Sequence, residues 1–336
     1  MKATLARLVE GRDLAAVEME AAVGDIMDGR ATASQVGAFL AALRAKGETV
    51  EELVATVRAL RERATPLAVT DSVIDTCGTG GDGLGTFNVS TGAAFVAAAA
   101  GARVAKHGNR AASGKVGAAD VLEALGAQIE LGPDAARRCL EATGIAFLFA
   151  PLYHPAVRHV APARRELGFR TLFNLTGPLC NPAGARRQVI GLFSADWLMP
   201  VAEALRHLGS EHVLVVHGGD GSDEITPAAT TSVVELRGEE IRRFEIAPED
   251  FAIARCRPGD LAGGDAAENA KLLREVLGGK RGPRADAVAL NAGAAIHVAG
   301  LAATLAGGVA RAREILVDGL ALGVLDAFVN ESRTAG

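Results

Sequence analysis

Apolar positions in the first sixty residues recur at helical spacing. Leu5, Leu8 and Val9 begin a face that Leu14, Val17, Ala21, Val23, Ile26 and Met27 continue. Thr32 stands as an N-cap before residues 34–45, with Val36, Phe39, Leu40 and Leu43 inward and Gly47 as the stop. Thr49 and Glu52 spell a capping box for a helix whose face is Leu53, Val57 and Leu60, and Pro66 ends it. The spacing predicts a small all-helical domain over residues 1–67.

From about Ala68 short apolar runs alternate with helical patterns. Strands are expected at 73–76, 103–106, 145–149, 188–193, 212–216, 231–236 and 287–291. Helices are expected between most of them and at 268–277, 292–298 and 309–319. This alternation predicts a large α/β domain, 68–336, with a mostly parallel central sheet. One segment departs from it. Residues 154–168 and 171–176 read as two consecutive helices, closed by Gly177-Pro178 and Asn181-Pro182. The segment 154–182 is expected to pack on the N-terminal helices, leaving a cleft between the domains.

The richest local pattern is Asp75-Thr76-Cys77-Gly78-Thr79-Gly80-Gly81-Asp82-Gly83-Leu84-Gly85-Thr86-Phe87-Asn88-Val89-Ser90-Thr91. A strand leads in and a small-residue helix leads out. Glycines let a backbone approach a ligand, and the free N–H groups of a helix start attract anions, above all phosphate. Gly78, Gly80 and Gly83 formally fit the dinucleotide fingerprint. That fingerprint needs an acidic residue after the next strand, where this chain has Lys106-His107. The Gly-Lys-Ser/Thr of a P-loop is missing too. A phosphate loop of another kind is the remaining ligand reading.

Three further clusters carry candidate chemistry. Lys106-His107-Gly108-Asn109-Arg110-Ala111-Ala112-Ser113-Gly114-Lys115-Val116-Gly117 follows the second strand and would face the first loop, suggesting a ligand with two phosphate groups; the alternative is a solvated basic turn. Asp223-Glu224, after the strand at 212–216, are adjacent carboxylates whose repulsion a divalent cation would relieve; the alternative is an ordinary turn. Arg158, Arg164, Arg165 and Arg170 offer carboxylate-binding forks, and spacing does not choose among them.

Bulk properties narrow the class. A net charge of -5 argues against a general nucleic-acid binder, while 49% hydrophobic and 22% charged residues support a substantial core. The four cysteines form no C-x-x-C pair, so no zinc site is expected, and they fit a reducing, cytoplasmic setting. The N-terminus lacks a signal-peptide apolar core, and no run is long enough to span a bilayer.

Gly78-Thr79-Gly80-Gly81-Asp82, Asn88-Val89-Ser90-Thr91, Lys106 to Arg110, Asp223-Glu224 and the stretch from His154-Pro155 to Asn181-Pro182 together resemble the anthranilate phosphoribosyltransferase family, over nearly the whole chain. The resemblance implies the fold of class II nucleoside phosphorylases and a homodimer formed through the helical domains. It implies phosphoribosyl pyrophosphate (PRPP) and anthranilate as substrates, and Mg²⁺ as cofactor. By the same resemblance Gly78, Gly81, Asp82, Thr86, Asn88, Val89, Ser90 and Thr91 match one PRPP loop. Lys106, His107, Gly108, Asn109, Arg110, Ala111, Ala112, Ser113 and Gly114, with Ala118, match the other. Ser90, Asp223 and Glu224 match the metal positions; Gly78, Asn109 and Arg164 match the anthranilate contacts. Lys106 and His107 are the expected catalytic pair. Relatives often carry serines where this chain has Gly114, Val116 and Ala118, and an aromatic residue where it has His297. Two alternatives are a nucleoside phosphorylase of the same fold, which would not need Asp223-Glu224, and a nucleic-acid-binding relative, which would need a basic groove.

Overall fold

The structure, a computed structural model, describes residues 1–70, 72–111 and 116–335. Four helices open the chain: α1 (Lys2–Val9), α2 (Ala16–Met27), α3 (Ala33–Lys46) and α4 (Val50–Glu62). The two caps read from sequence form: the Thr32 and Thr49 side chains accept from the backbone N–H of Gln35 and Glu52. Glu52 is fully buried, and its carboxylate accepts from the N–H groups of Leu14 and Thr49 and from the Lys46 ammonium. A cap thereby doubles as the polar knot that holds three helices together.

The remaining chain alternates strands and helices. It runs β1 (Ile74–Thr76), α5 (Val89–Ala99), β2 (Val104–Gly108), α6 (Ala118–Ala124), α7 (Pro133–Thr143), β3 (Ile145–Phe149), α8 (Ala150–Tyr153), α9 (Ala161–Leu167), α10 (Phe173–Leu179), β4 (Arg187–Gly191), α11 (Leu198–His207), β5 (His212–Gly218), β6 (Thr231–Arg237), β7 (Glu240–Ile246), α12 (Ala266–Leu277), α13 (Pro283–Val298), α14 (Leu305–Val317) and α15 (Leu320–Ala335). The strands form one sheet in the order β3-β2-β1-β4-β5-β6-β7. The first five are parallel, and β6 and β7 are added antiparallel.

Strand β5 shows how the core divides. Leu214 and Val216 join the cluster built around α5 and α13, whereas Val213 and Val215 join the cluster that contains the N-terminal helices and α11. Burial on both faces explains why this strand reads as an unbroken apolar run. Val160, Leu172, Phe173 and Leu175 also lie in the second cluster, so side chains of the 154–182 segment pack with α1–α4.

Three sequence expectations need correction. Residues 287–291 are not a strand but part of α13, whose residues 287–298 are all buried; a helix apolar on every side has no amphipathic period and mimics a buried strand. The edge strand β7 was not expected, because its charged Glu240-Ile241-Arg242-Arg243 pattern protects an open sheet edge instead of advertising a core face. The helix expected over 154–168 is a short 3₁₀ turn, Pro155–His159, followed by α9; Pro155 and Pro162 each sit in a first turn and divide the run.

Candidate active site

The strand order reverses between β1 and β4, so the chain leaves the carboxyl ends of these neighbours in opposite directions and opens a crevice there. Thr76, Gly78, Ser90, Gly191, Asp223 and Glu224 line a pocket in it. The glycine loop after β1 and the acidic loop after β5 meet directly. Asp223 Oδ2 accepts from the Gly80 N–H at 2.6 Å, and Glu224 Oε1 accepts from the Ser90 N–H, in the first turn of α5, at 3.1 Å.

Close approach dictates two glycines. A Cβ at Gly78 would lie 2.5 Å from Asp223 Oδ2, and one at Gly191 only 1.5 Å from the Asp223 carbonyl oxygen. Gly80 and Gly81 are needed for a different reason, φ values of 65° and 74° in the left-handed region. Asp82 shapes the same loop by accepting from the Leu84 N–H at 3.1 Å.

Asp223 and Glu224 keep some surface at the pocket wall, but protein packs round their carboxyl groups. Burial, reinforced by Asp82, pushes Asp223 up to about 6. Burial and the Asp223 charge push Glu224 up as well, against the opposing pull of Lys106. Two carboxyl groups that resist ionising side by side, next to a serine hydroxyl, make an oxygen-donor set suited to a hard divalent cation.

Lys106 is 3% exposed and stands in the middle of β2. Its ammonium donates to the Thr76 carbonyl at 2.6 Å and lies 3.5 Å from Ser90 Oγ. Asp75, fully buried on β1, accepts from the His107 N–H and the Asn181 amide; burial pushes it up to about 6. Asn181 also donates to the Ala105 carbonyl, which ties the 154–182 segment to the sheet. His107 is buried, and burial together with neighbouring His154 drives it down to about 3. Its Nδ1 lies 3.1 Å from the Gly177 carbonyl, which can only accept, so the neutral ring carries its proton there and Nε2 is buried with no hydrogen-bond partner among the described residues.

The second loop is built on contacts within itself. The Arg110 guanidinium pairs with Asp120 and Glu123 and lies over the Phe149 ring, so its charge is locally neutralised. Asn109 Oδ1 accepts from the Arg110 N–H, and the Asn109 carbonyl accepts from Ala119. Asn88 joins the two loops by donating to the Val116 carbonyl while accepting from Asn269. Thr86 bridges to Ala262. Val89 and Thr91 are buried in the first turn of α5, Gly108 ends β2, and Ala118 opens α6. Ala112, Ser113 and Gly114 lie outside the described residues.

On the helical side Arg164 is half-buried in α9, its guanidinium disfavoured by burial, and no ion pair to it appears among the described residues. Arg165 is exposed. Arg170 stacks 4.1 Å over the Phe193 ring and donates to the Gly81 carbonyl, so it bridges the helical segment and the glycine loop. Sequence reasoning missed Arg170 as a loop contact, as it missed Asp75 and Asn181. It also missed Asn291, whose side chain holds both backbone groups of Ile225 next to Glu224. A single amide in the apolar run 287–298 was the signal for that last one.

A second group of ligating atoms lies elsewhere. His212, Glu235 and His297 each bring one within 4.8 Å of the others. His212 begins β5, so this cluster and the acidic loop sit at opposite ends of the strand, about 20 Å apart at ~3.3 Å per residue.

Residues 70–322 match a family described as "Glycosyl transferase family, a/b domain", and residues 2–64 match its helical bundle domain. The chain is 53% identical over 334 residues to an anthranilate phosphoribosyltransferase from Rubrobacter xylanophilus, covering 99% of this chain and 98% of the relative. It is 54% identical over 318 residues to one from Geobacillus kaustophilus, covering 94% of each. The crystal structure of anthranilate phosphoribosyltransferase from Thermus thermophilus matches with a TM-score of 0.93 at 46% identity, covering 98% of this chain and 99% of that one. The Saccharomyces cerevisiae enzyme in complex with PRPP and Mg matches at 0.90 and 26% identity, covering 99% of each chain.

Proposed function

We propose a division of labour among these residues on one premise: the chain belongs to the anthranilate phosphoribosyltransferases. It transfers the phosphoribosyl group of PRPP to the amine of anthranilate and releases pyrophosphate, a step of tryptophan biosynthesis.

The loops after β1 and β2 hold PRPP. The start of α5, where Ser90 lines the pocket, adds the positive end of a helix dipole that attracts phosphate. Mg²⁺ is held by Asp223, Glu224 and the Ser90 hydroxyl, and when bound it supplies positive charge to the leaving pyrophosphate. The observation that carries this placement is the meeting of the acidic pair with the glycine loop and α5, Asp223 on Gly80 and Glu224 on Ser90. The His212–Glu235–His297 cluster does not suit Mg²⁺, since two of its three donors are nitrogens.

The Lys106 ammonium is anchored by the Thr76 carbonyl and lies 3.5 Å from Ser90 Oγ, both from residues that line the pocket. Such preorganised charge favours the transition state, in which the sugar becomes cationic and the leaving group gains negative charge. Arg164, desolvated and without a carboxylate partner among the described residues, receives the anthranilate carboxylate, with Asn109 and the bare backbone at Gly78 beside the ring. The aryl amine is neutral at pH 7 and needs no strong base. His107, neutral with its proton held at Nδ1 toward the Gly177 carbonyl, ties β2 to α10. Aligning both substrates removes a bimolecular entropy cost.

The helical domain, residues 1–67 joined by 154–182, brings Arg164 and Arg170 to the cleft. A homodimer through this domain would cover Val9 and Val17, which are 78% and 77% exposed. Four free cysteines fit the cytoplasm, and no helix is long and apolar enough to cross a membrane.

The test follows anthranilate fluorescence with PRPP and Mg²⁺ added separately and together. Consumption should require both. Full activity of an Asp223→Ala, Glu224→Ala variant at low Mg²⁺ would overturn the assignment of the acidic loop.

A further inference from the structure

We propose that His212, Glu235 and His297 form a second metal site, specific for a zinc-class divalent cation and separate from the catalytic centre.

The three side chains come from three elements: the first residue of β5, the middle of β6 and the last turn of α13. His212 Nε2 lies 2.8 Å from Glu235 Oε1, and His297 Nε2 lies 3.6 Å from the same oxygen. The imidazoles meet edge to face, with centroids 4.9 Å apart and an interplanar angle of 83°. A tetrahedral zinc with bonds of about 2.0–2.1 Å separates its ligand atoms by about 3.3 Å. The two measured separations bracket that value, and all three atoms already lie within 4.8 Å, so shifts of about an ångström would complete a trigonal face.

The surroundings point the same way. His297 Nδ1 lies 3.0 Å from the Ala302 carbonyl, which can only accept, so the proton sits on Nδ1 and Nε2 is turned toward Glu235. A backbone carbonyl behind a histidine is the arrangement that orients a metal-bound imidazole and raises its basicity. The carboxyl end of α13 adds partial negative charge, which favours a cation. Glu235, Arg237, Glu240 and Arg242 line an adjoining crevice of about 280 Å³, wide enough for an ion to enter and for water to take the fourth position. Arg242 there is paired with Glu240, which leaves Arg237 as the charge opposing a cation. Two imidazole nitrogens and one carboxylate oxygen select Zn²⁺ or its transition-metal neighbours over Mg²⁺ or Ca²⁺. Lying at the end of the sheet away from the pocket, the ion would staple α13 to β5 and β6.

The experiment titrates metal-free full-length protein with Zn²⁺ and, for a spectroscopic signature, Co²⁺. One equivalent should bind per chain, and Co²⁺ should give the visible ligand-field bands of a low-coordinate nitrogen–oxygen site. His297→Phe, which keeps a ring in place, and Glu235→Gln should each weaken Zn²⁺ binding by roughly tenfold or more. Asp223→Asn should leave that equivalent bound. Zinc X-ray absorption on the unmodified protein supplies a readout independent of whether the variants fold, and should show two imidazoles in the coordination shell. Failure to bind one equivalent, an oxygen-only shell, undiminished binding in both variants, or loss of the equivalent in Asp223→Asn would each overturn the proposal.

Discussion

Replacing Gly78 by alanine separates the role of the glycine loop in catalysis from its role in folding. The added Cβ would lie 2.5 Å from Asp223 Oδ2 and 3.2 Å from its Cγ, while the Asp223 carbonyl at 3.5 Å is an ordinary contact. The carboxylate must therefore swing away by about an ångström, and in doing so it gives up the 2.6 Å bond from the Gly80 N–H. A hydrogen bond to a charged group contributes about 1.5–3 kcal/mol, so the concentration of Mg²⁺ giving half-maximal rate should rise roughly ten- to hundredfold. Gly92→Ala is the control. Its Cβ would meet Val288 Cγ2 at 2.9 Å and Leu273 Cδ1 at 3.0 Å, a clash in the packing of α5 against α13 and α12. Overpacking of that kind costs about 1–3 kcal/mol and should lower Tm while leaving the Mg²⁺ requirement alone. The assay follows anthranilate fluorescence at saturating PRPP with Mg²⁺ varied, beside thermal melts without metal. An unchanged Mg²⁺ requirement in Gly78→Ala, or a raised one in Gly92→Ala, refutes the reasoning.

Arg164→Ala should raise KM for anthranilate by roughly ten- to hundredfold, with KM for PRPP far less affected, while exposed Arg165→Ala should resemble wild type; exchanged outcomes would mean that the inward face of α9 is misassigned. Folding raises the carboxyl groups of Asp223 and Glu224, so the native state binds more protons than the unfolded one from about pH 4 upward, and their contribution to metal-free stability falls as pH rises through about 6 for Asp223 and beyond it for Glu224. Melts without metal across that window should therefore fall less steeply for Asp223→Asn, Glu224→Gln than for wild type; equal slopes would contradict the burial of the pair. Glu52→Ala leaves the buried Lys46 ammonium with exposed Asp13 and the Gly47 carbonyl and strips the N–H groups of Leu14 and Thr49, so denaturant unfolding should show a loss of about 3–5 kcal/mol.

The sequence by itself determined the two-part architecture, because the period of its apolar positions changes near Ala68 and each period admits one kind of element. It also placed the caps at Thr32 and Thr49 and singled out the glycine-rich loop after β1, since capping residues and clustered glycines act over a few residues and leave local patterns. It failed where an element's surroundings override its pattern. Residues 287–291 became helix because α13 is enclosed on all sides, and β7 was invisible because its role is to close an edge. Only the tertiary structure decided which distant groups meet: Asp223 on Gly80, Asn181 on Asp75, Arg170 on Gly81 and His297 beside Glu235. Each pairing joins separate loops or elements of the chain, and such contacts follow from the strand order β2-β1-β4-β5 and from how helices pack over it. Local spacing carries no information about that order, because backbone hydrogen bonds between strands are the same whichever strands they join.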